Sequence, residues 1–129
     1  MLVYVQRTGE LFKDGKRITF GYSGFEDGKN NPEMQSVKNK GPIPCGVYTI
    51  GPLHDSERTG NKVMRLSPDE GTETFGRGDF ECHGDSTQHP GAASHGCIIL
   101  SLPIRVAIVD KDRDRKIKVV AEEADAASA

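Results

Sequence analysis

The chain has 129 residues, enough for one domain with a single hydrophobic core. Its net charge is −2, and no run of Lys or Arg stands out, so the charge pattern excludes a strongly basic nucleic-acid-binding or membrane-surface protein. We therefore expect no nucleic-acid and no membrane partner. No apolar segment approaches the roughly 20 residues that a bilayer-spanning helix needs.

The pattern of apolar residues predicts mostly short strands joined by turns. Asp14-Gly15, between two β-prone runs, is a strong signal for a hairpin. Seven such runs are predicted as strands, at residues 2–5, 10–13, 17–20, 46–50, 62–66, 79–83 and 117–120.

The irregular segments are as informative as the strands. Residues 21–44 form a loop rich in Gly, Asn and Pro, and a loop of this length is often a lid or a binding loop. Farther along, Ser101 suits a helix N-cap and Pro103 suits a first helical turn. The short helix that they start should end near the charged run at residues 110–116.

The last eight residues, EEADAASA, have the composition of a frayed tail. We therefore predict a single, mainly β domain over residues 1–121, with one short helix, and a disordered tail over residues 122–129. There is no internal repeat and no linker.

Reactive side chains are concentrated in residues 83–100, HGDSTQHPGAASHGCIIL. A cysteine is nucleophilic as a thiolate, and a neighbouring imidazole promotes that form. His83 falls where a strand ends, and Cys97 follows Gly96, where backbone N–H groups can form an oxyanion hole. From the residues alone, Cys97 is either a nucleophile or a small core residue.

The same stretch resembles a known signature. Ser94-His95-Gly96-Cys97, preceded by His83-Gly84, is similar to the motif of the L,D-transpeptidase catalytic domain, and residues 41–50, GPIPCGVYTI, resemble a strand of that family. The likeness extends roughly from residue 4 to residue 120. It implies an L,D-transpeptidase-like β-sandwich or partly open barrel with one short helix after the catalytic cysteine.

The resemblance implies a cysteine acyltransferase that acts on peptidoglycan stem peptides without a cofactor. Cys97 would be the nucleophile and His83 the general base, with the Gly84 carbonyl orienting the imidazole. Ser94 and His95 would shape the turn, and His95 is also a candidate for proton transfer.

The N–H groups of Gly96 and Cys97 would bind the oxyanion. One departure concerns the substrate carboxylate, since the family usually has Arg or Asn where this chain has Ile99. Arg105 on the following helix is the candidate replacement. Asp85 is a candidate either for substrate binding or for capping a turn.

GYSG, GKNNP, GPIP, HGD and SHGCIIL are most similar to a short branch without a signal peptide, whose members include type VI secretion effectors. The first dozen residues also lack the features of a secretory signal. We therefore expect an antibacterial toxin that is made in the cytoplasm and acts in the periplasm of a rival cell. Its expected partners are peptidoglycan stem peptides, a cognate immunity protein and a component of the secretion machinery.

Two other functional classes fit part of the sequence. Cys82, His83, His89, His95 and Cys97 are zinc-ligand types, but their spacing matches no common zinc pattern, and we predict no metal site. The other class is a non-catalytic peptidoglycan-binding or phage structural module. In the predicted strand, Cys82 faces away from His83 into the core.

Three cysteines cannot all pair with one another. We read Cys45 and Cys82 as structural residues. The sequence does not decide whether the two form a disulfide in an oxidising compartment.

Overall fold

The computed structural model describes residues 1–111 and 115–126. Within them, the strands are β1 (Leu2–Val5), β2 (Glu10–Lys13), β3 (Lys16–Phe20), β4 (Tyr22–Ser23), β5 (Gly46–Ile50), β6 (His54–Ser56), β7 (Gly60–Pro68), β8 (Glu81–His83), β9 (Ile98–Ile99) and β10 (Lys116–Val120). The helices are α1 (Leu102–Lys111) and the single turn α2 (Glu123–Ala126). The predicted mainly β class is confirmed.

The strands form a mixed, open sheet in the order β3-β2-β1-β10-β5-β7-β8-β9-β4, with β6 paired to β7. The pairs β1–β10 and β8–β9 are parallel, and the other pairs are antiparallel. All seven predicted strands are present, with bounds within two residues of those expected. The strands that were not predicted, β4, β6 and β9, have only two or three residues each.

The hairpin between β2 and β3 follows from its turn residues. Asp14 and Gly15 have φ values of 50° and 80°, the left-handed conformation that a two-residue hairpin turn requires. Glycine and aspartate adopt this conformation more easily than most residues, which is why the sequence predicted this turn.

Strand β1 is buried on both faces. Tyr4 points into the main core, whereas Val3 and Val5 form a second cluster with Val120 and Ala126. Burying alternate residues on both sides requires a cover on each face of the sheet. The helical turn α2, which carries Ala126, contributes to the cover on the second face.

This packing corrects the prediction of a frayed tail over residues 122–129. Ala126 is only 8% exposed, because its side chain packs against the second cluster. Residues 127–129, the end of the expected tail, lie outside the described part of the chain. So do residues 112–114, which belong to the charged run near which α1 was expected to end.

Helix α1 begins directly after Ser101, as the sequence predicted. The Ser101 carbonyl accepts a hydrogen bond from the Arg105 N–H at 3.1 Å, and Ile108 is buried against the main core together with the partly buried Ile104. Among the described residues, no helix is both long enough and apolar enough to span a membrane.

The long loop at residues 21–44 is anchored at several points. It contains β4 and two short 3-10 turns, Glu26–Gly28 and Pro32–Met34. Ile43 near its end is fully buried in the main core. The loop therefore packs along the edge of the sheet where β8 and β9 lie.

Candidate active site

His83 is the last residue of β8, and its ring is held by the next residue. The Nδ1 atom lies 2.9 Å from the Gly84 carbonyl oxygen, the contact that the sequence reading expected. With Nδ1–H donating to this carbonyl, the Nε2 atom carries the lone pair that can accept a proton. The imidazole is thus oriented as a base.

Cys97 follows a turn that is fixed by one buried hydroxyl. Ser94 is fully buried, and its Oγ accepts hydrogen bonds from the N–H groups of Gly24 at 3.0 Å and Gly96 at 3.1 Å. The same hydroxyl donates to the Cys97 carbonyl oxygen at 2.6 Å. Every donor and acceptor of this side chain is used, so the turn has little freedom.

A second buried serine ties this turn to the long loop. The Ser23 hydroxyl donates to the Gly96 carbonyl oxygen at 3.3 Å and accepts from the Ile43 N–H at 2.9 Å. Gly96 has φ of 138°, which residues with a side chain rarely adopt. Ser23 was not predicted as a site residue, although it lies in the GYSG segment.

The register of β8 and β9 places Cys97 and His83 on neighbouring strands. Cys82 pairs with Ile98, and His83 pairs with Ile99, so Cys97 comes opposite Glu81. Side chains at alternate positions share a face, which places Cys97 on the His83 face and Cys82 in the core, as predicted. Strand spacing and rise put the Cα atoms of the reactive pair roughly 8 Å apart, a span that two side chains can bridge.

Burial favours the neutral form of both groups. Burial raises the pKa of Cys97 to about 11, with the Glu81 carboxylate raising it further, while Arg58 and the Glu81 backbone oppose the rise. Burial also lowers the pKa of His83 below its ordinary value. Both shifts disfavour a thiolate–imidazolium ion pair in the free protein.

Arg77 is a buried cation that was not predicted as a site residue from the sequence. Its guanidinium donates to the carbonyl oxygens of Gln35, Pro42 at 2.8 Å, Gly41 at 2.9 Å and His95 at 3.3 Å. It thereby clamps the long loop to the turn that carries the cysteine. Arg77 lies between two glycines in a turn, and no sequence pattern there indicated that its side chain would be buried.

Two cavities meet at the thiol. One, here called the cationic cavity, has a volume of about 420 Å³ and is lined by Lys38, Arg58, Arg77 and Cys97 among others. The other, the His83 cavity, has a volume of about 860 Å³ and is lined by His83, Arg58 and Cys97 among others.

A family model for the Tlde1 domain matches residues 18–123, most of the chain and all of the site described so far. The chain belongs to the Tlde1 domain family. This is a family of type VI secretion effectors. No curated protein matches the chain.

A solved structure, that of Bd1075 from Bdellovibrio bacteriovorus, is similar to this Tlde1 domain with a TM-score of 0.57 at 12% sequence identity. The match covers 99% of this chain and 51% of Bd1075, so the chain spans about half the length of that protein. At this identity the likeness concerns the fold alone.

One acidic residue of the Tlde1 domain links the site to the neighbouring hairpin. Glu81 is only 7% exposed, and its Oε1 accepts a hydrogen bond from the Thr59 hydroxyl at 3.1 Å. The same oxygen lies 4.0 Å from an Nη atom of Arg58, whose side chain is 74% exposed. Neither Glu81 nor Arg58 was expected from the sequence, since their positions depend on pairing between distant strands.

Arg105 is placed differently from its expected role as a substrate ligand. It is 6% exposed, and its guanidinium donates to the backbone carbonyls of Lys62 at 2.9 Å, Asn61 at 3.3 Å and Leu100. The guanidinium also packs closely on Gly84, since a Cβ atom added to that glycine would lie 3.0 Å from Nη1 of Arg105. Arg105 therefore supports the strands from behind the site, and the structure corrects the expectation.

Asp85 has the turn-capping position that was one of its two expected roles. Its Oδ1 accepts hydrogen bonds from the Ser86 N–H at 2.8 Å, the Gly91 N–H at 3.1 Å and the Tyr22 hydroxyl at 2.6 Å. These bonds lower the pKa of its carboxyl, although partial burial opposes them. The carboxylate orders the loop between the histidine and the cysteine.

The expected oxyanion donor Gly96 needs a correction. Its N–H points to Ser94 Oγ and is used inside the turn, so it is not a donor for substrate. His95 is exposed, stacks on Phe25 with ring centroids 4.8 Å apart, and has Nδ1 3.1 Å from the Asn39 carbonyl oxygen. It lines both cavities, and its contacts anchor the turn.

The remaining cysteines do not form a disulfide in the structure. Cys45 and Cys82 are both free; the Cys45 thiol donates to Gln6 Oε1 at 3.3 Å, and Cys82 lies in the core. His89 is an exposed loop residue at the rim of the His83 cavity. Within residues 1–111 and 115–126, no group of three His, Cys, Asp or Glu side chains has the geometry to hold a metal ion.

Proposed function

We propose that this Tlde1 domain is a cysteine acyltransferase that acts on peptidoglycan stem peptides. The observation that carries the proposal is the placement of Cys97 and His83 on one face of adjacent strands, at one cavity, with the imidazole held by the Gly84 carbonyl. The resemblance of these residues to the L,D-transpeptidase signature supports the same chemistry. The family supports a toxin delivered to the periplasm of a rival cell, with a cognate immunity protein.

In the proposed reaction, the Cys97 thiol attacks the amide carbonyl on the L-centre of diaminopimelate in a tetrapeptide stem. Nε2 of His83 takes the thiol proton as the S–C bond forms, and the neutral imidazole in the free protein is ready for that step. The C–N bond then breaks, and His83 returns the proton to the departing amine of D-alanine. We assign the oxyanion to the backbone N–H of Cys97, close to the positive charge of Arg77.

The thioester is then resolved by an acceptor in the His83 cavity. Water gives L,D-carboxypeptidase activity, a free D-amino acid gives exchange, and the amine of another stem gives a 3-3 crosslink. Trimming or exchange removes tetrapeptide donors from the growing wall, which explains how such an enzyme acts as a toxin.

The test directs the protein to the periplasm of a sensitive bacterium and analyses its muropeptides by mass spectrometry. Wild type should deplete tetrapeptides and inhibit growth, whereas Cys97→Ala should do neither. Cys45→Ala is the matched control, because it removes a half-buried free thiol away from both cavities. Equal toxicity of wild type and Cys97→Ala with unchanged tetrapeptides would indicate a non-catalytic module.

A compartment control completes the experiment. Expression in the cytosol should be harmless, since the proposed substrate lies outside the inner membrane. Killing from the cytosol would place the target elsewhere.

A further inference from the structure

The two cavities at the thiol share three residues, namely Arg58, His95 and Cys97. The thiol therefore lies between a space that contains the candidate base and a space that does not. A substrate whose carbonyl is attacked by Cys97 must place its acyl part on one side and its leaving group on the other.

The chemistry decides which side takes the leaving group. The departing amine has to receive its proton from His83, so it lies in the His83 cavity. In a terminal D-amino acid, the amine and the carboxylate are bonded to the same carbon atom. A negative charge therefore enters the His83 cavity within a few ångströms of the imidazole.

Arg58 is the cation positioned to meet that charge. Among the described residues that line the His83 cavity, it is the sole Lys or Arg. Arg77 is engaged by four backbone carbonyls and Arg105 by three, whereas Lys38 borders the cationic cavity. Within residues 1–111 and 115–126, Arg58 has one ion pair, to Glu81 at 4.0 Å, which is long enough to leave its planar donors accessible to a carboxylate.

Arg58 also acts electrostatically on both reactive groups. Its charge opposes the rise in the pKa of Cys97 and adds to the lowering of the pKa of His83. The Glu81 carboxylate, which faces the same groups, raises both pKa values. The guanidinium is thus within electrostatic reach of both atoms between which the leaving group must sit.

We propose that Arg58 is a specificity-determining residue that binds the α-carboxylate of the terminal D-amino acid of the donor stem. This inference rests on the proposed acyltransferase function. The same contact receives the carboxylate of a free D-amino acid when it attacks the thioester, because the reverse step passes through the same geometry. The protein therefore prefers donors with a free terminal carboxylate to donors that end in a carboxamide.

The experiment compares two donors, a tetrapeptide stem ending in D-alanine and the same stem ending in D-alaninamide. The amide removes one negative charge and keeps the scissile bond. For wild type, kcat/KM should favour the acid by roughly 10- to 100-fold, the range that a charge-assisted bond provides. Arg58→Gln should bring the acid-to-amide ratio close to one, mainly through KM for the acid, and Arg58→Lys should restore part of the ratio.

Two controls separate this contact from general charge effects. Arg65→Gln removes the same charge from an exposed position on β7 that borders neither cavity, and it should keep the wild-type ratio. Lys38→Gln removes a cation from the cationic cavity and should lower both rates without changing the ratio. Because the Arg58 side chain is exposed, its replacement should leave the melting temperature within about 2 °C of wild type.

The outcomes distinguish a failure of the Arg58 role from a failure of the proposed function. An Arg58→Gln protein that keeps the wild-type ratio, or loses both rates equally, overturns the role of Arg58 while Cys97-dependent turnover by wild type upholds the proposed function. A wild-type protein without Cys97-dependent turnover of either donor overturns both.

Discussion

Replacing Arg77 with methionine should destabilise the protein by about 3–5 kcal/mol. The guanidinium donates to four backbone carbonyls, and a hydrogen bond from a charged donor contributes roughly 1.5–3 kcal/mol. Burial of the cation offsets part of this gain, as the lowered pKa of Arg77 indicates, and desolvation of a buried ion costs several kcal/mol. Methionine fills similar space but leaves the four carbonyls without this donor.

The assay is urea unfolding followed by circular dichroism, with a thermal melt in parallel. For a domain of this size, the expected loss lowers the melting temperature by roughly 10–20 °C. Arg65→Met on the exposed side of β7 is the control and should change stability by less than about 0.5 kcal/mol. A stability for Arg77→Met within about 1 kcal/mol of wild type would refute the idea that this cation clamps the loop to the cysteine turn.

Three further predictions test other contacts. Glu81→Gln should lower the pKa of Cys97 from about 11, because it removes a nearby negative charge. Iodoacetamide should then alkylate the thiol roughly 3- to 10-fold faster at pH 8. An unchanged pH–rate profile of alkylation would contradict this prediction. Gly96→Ala should lower the free energy of unfolding by about 2 kcal/mol or more, because φ is 138° and the new methyl group would lie 2.5 Å from an Arg77 nitrogen. An unchanged melting temperature would count against this prediction. Tyr4→Phe should raise the unfolding free energy by about 1 kcal/mol, since the buried hydroxyl has no hydrogen-bond partner among the described residues; a loss of stability in urea would disprove that.

The elements that the sequence predicted well are those with local causes. The β2–β3 hairpin depends on two adjacent turn residues, Asp14 and Gly15, and the start of α1 depends on residues 101–103. His83 and Cys97 were singled out from short motifs, one at the end of β8 and one directly before β9, and their catalytic roles stay predictions. Their proximity then follows from one parallel strand pair.

The residues that the sequence did not reveal act over long distances along the chain. Arg77 bonds to carbonyls up to 42 positions away, and Ser23 reaches Gly96 across 73 positions. Nothing in the local composition marks an arginine as buried, and buried arginines are rare in general. Only the assembled fold brings these loop and turn carbonyls together around it.

Two groups that were expected to bind substrate are instead hydrogen-bonded within the protein. The Gly96 N–H, expected to face substrate, donates to Ser94 Oγ instead, and the Arg105 guanidinium is used by strand and loop carbonyls. The third error concerned α2, whose alanine-rich composition looked like a tail. Residues 123–126 instead form α2, and Ala126 packs against the second cluster on β1.

The position of β10 in the sheet has a consequence for how the chain acquires its structure. β10 lies between β1 and β5, so the N-terminal strands are joined to the strands of the site through a segment made more than 100 residues later. Until residues 116–120 leave the ribosome, β1 and β5 lack the strand that pairs with both of them, and such non-local pairing slows folding. The sheet is therefore completed only after β10 has been made, and truncation before Lys116 should leave β1 and β5 without the strand that joins them.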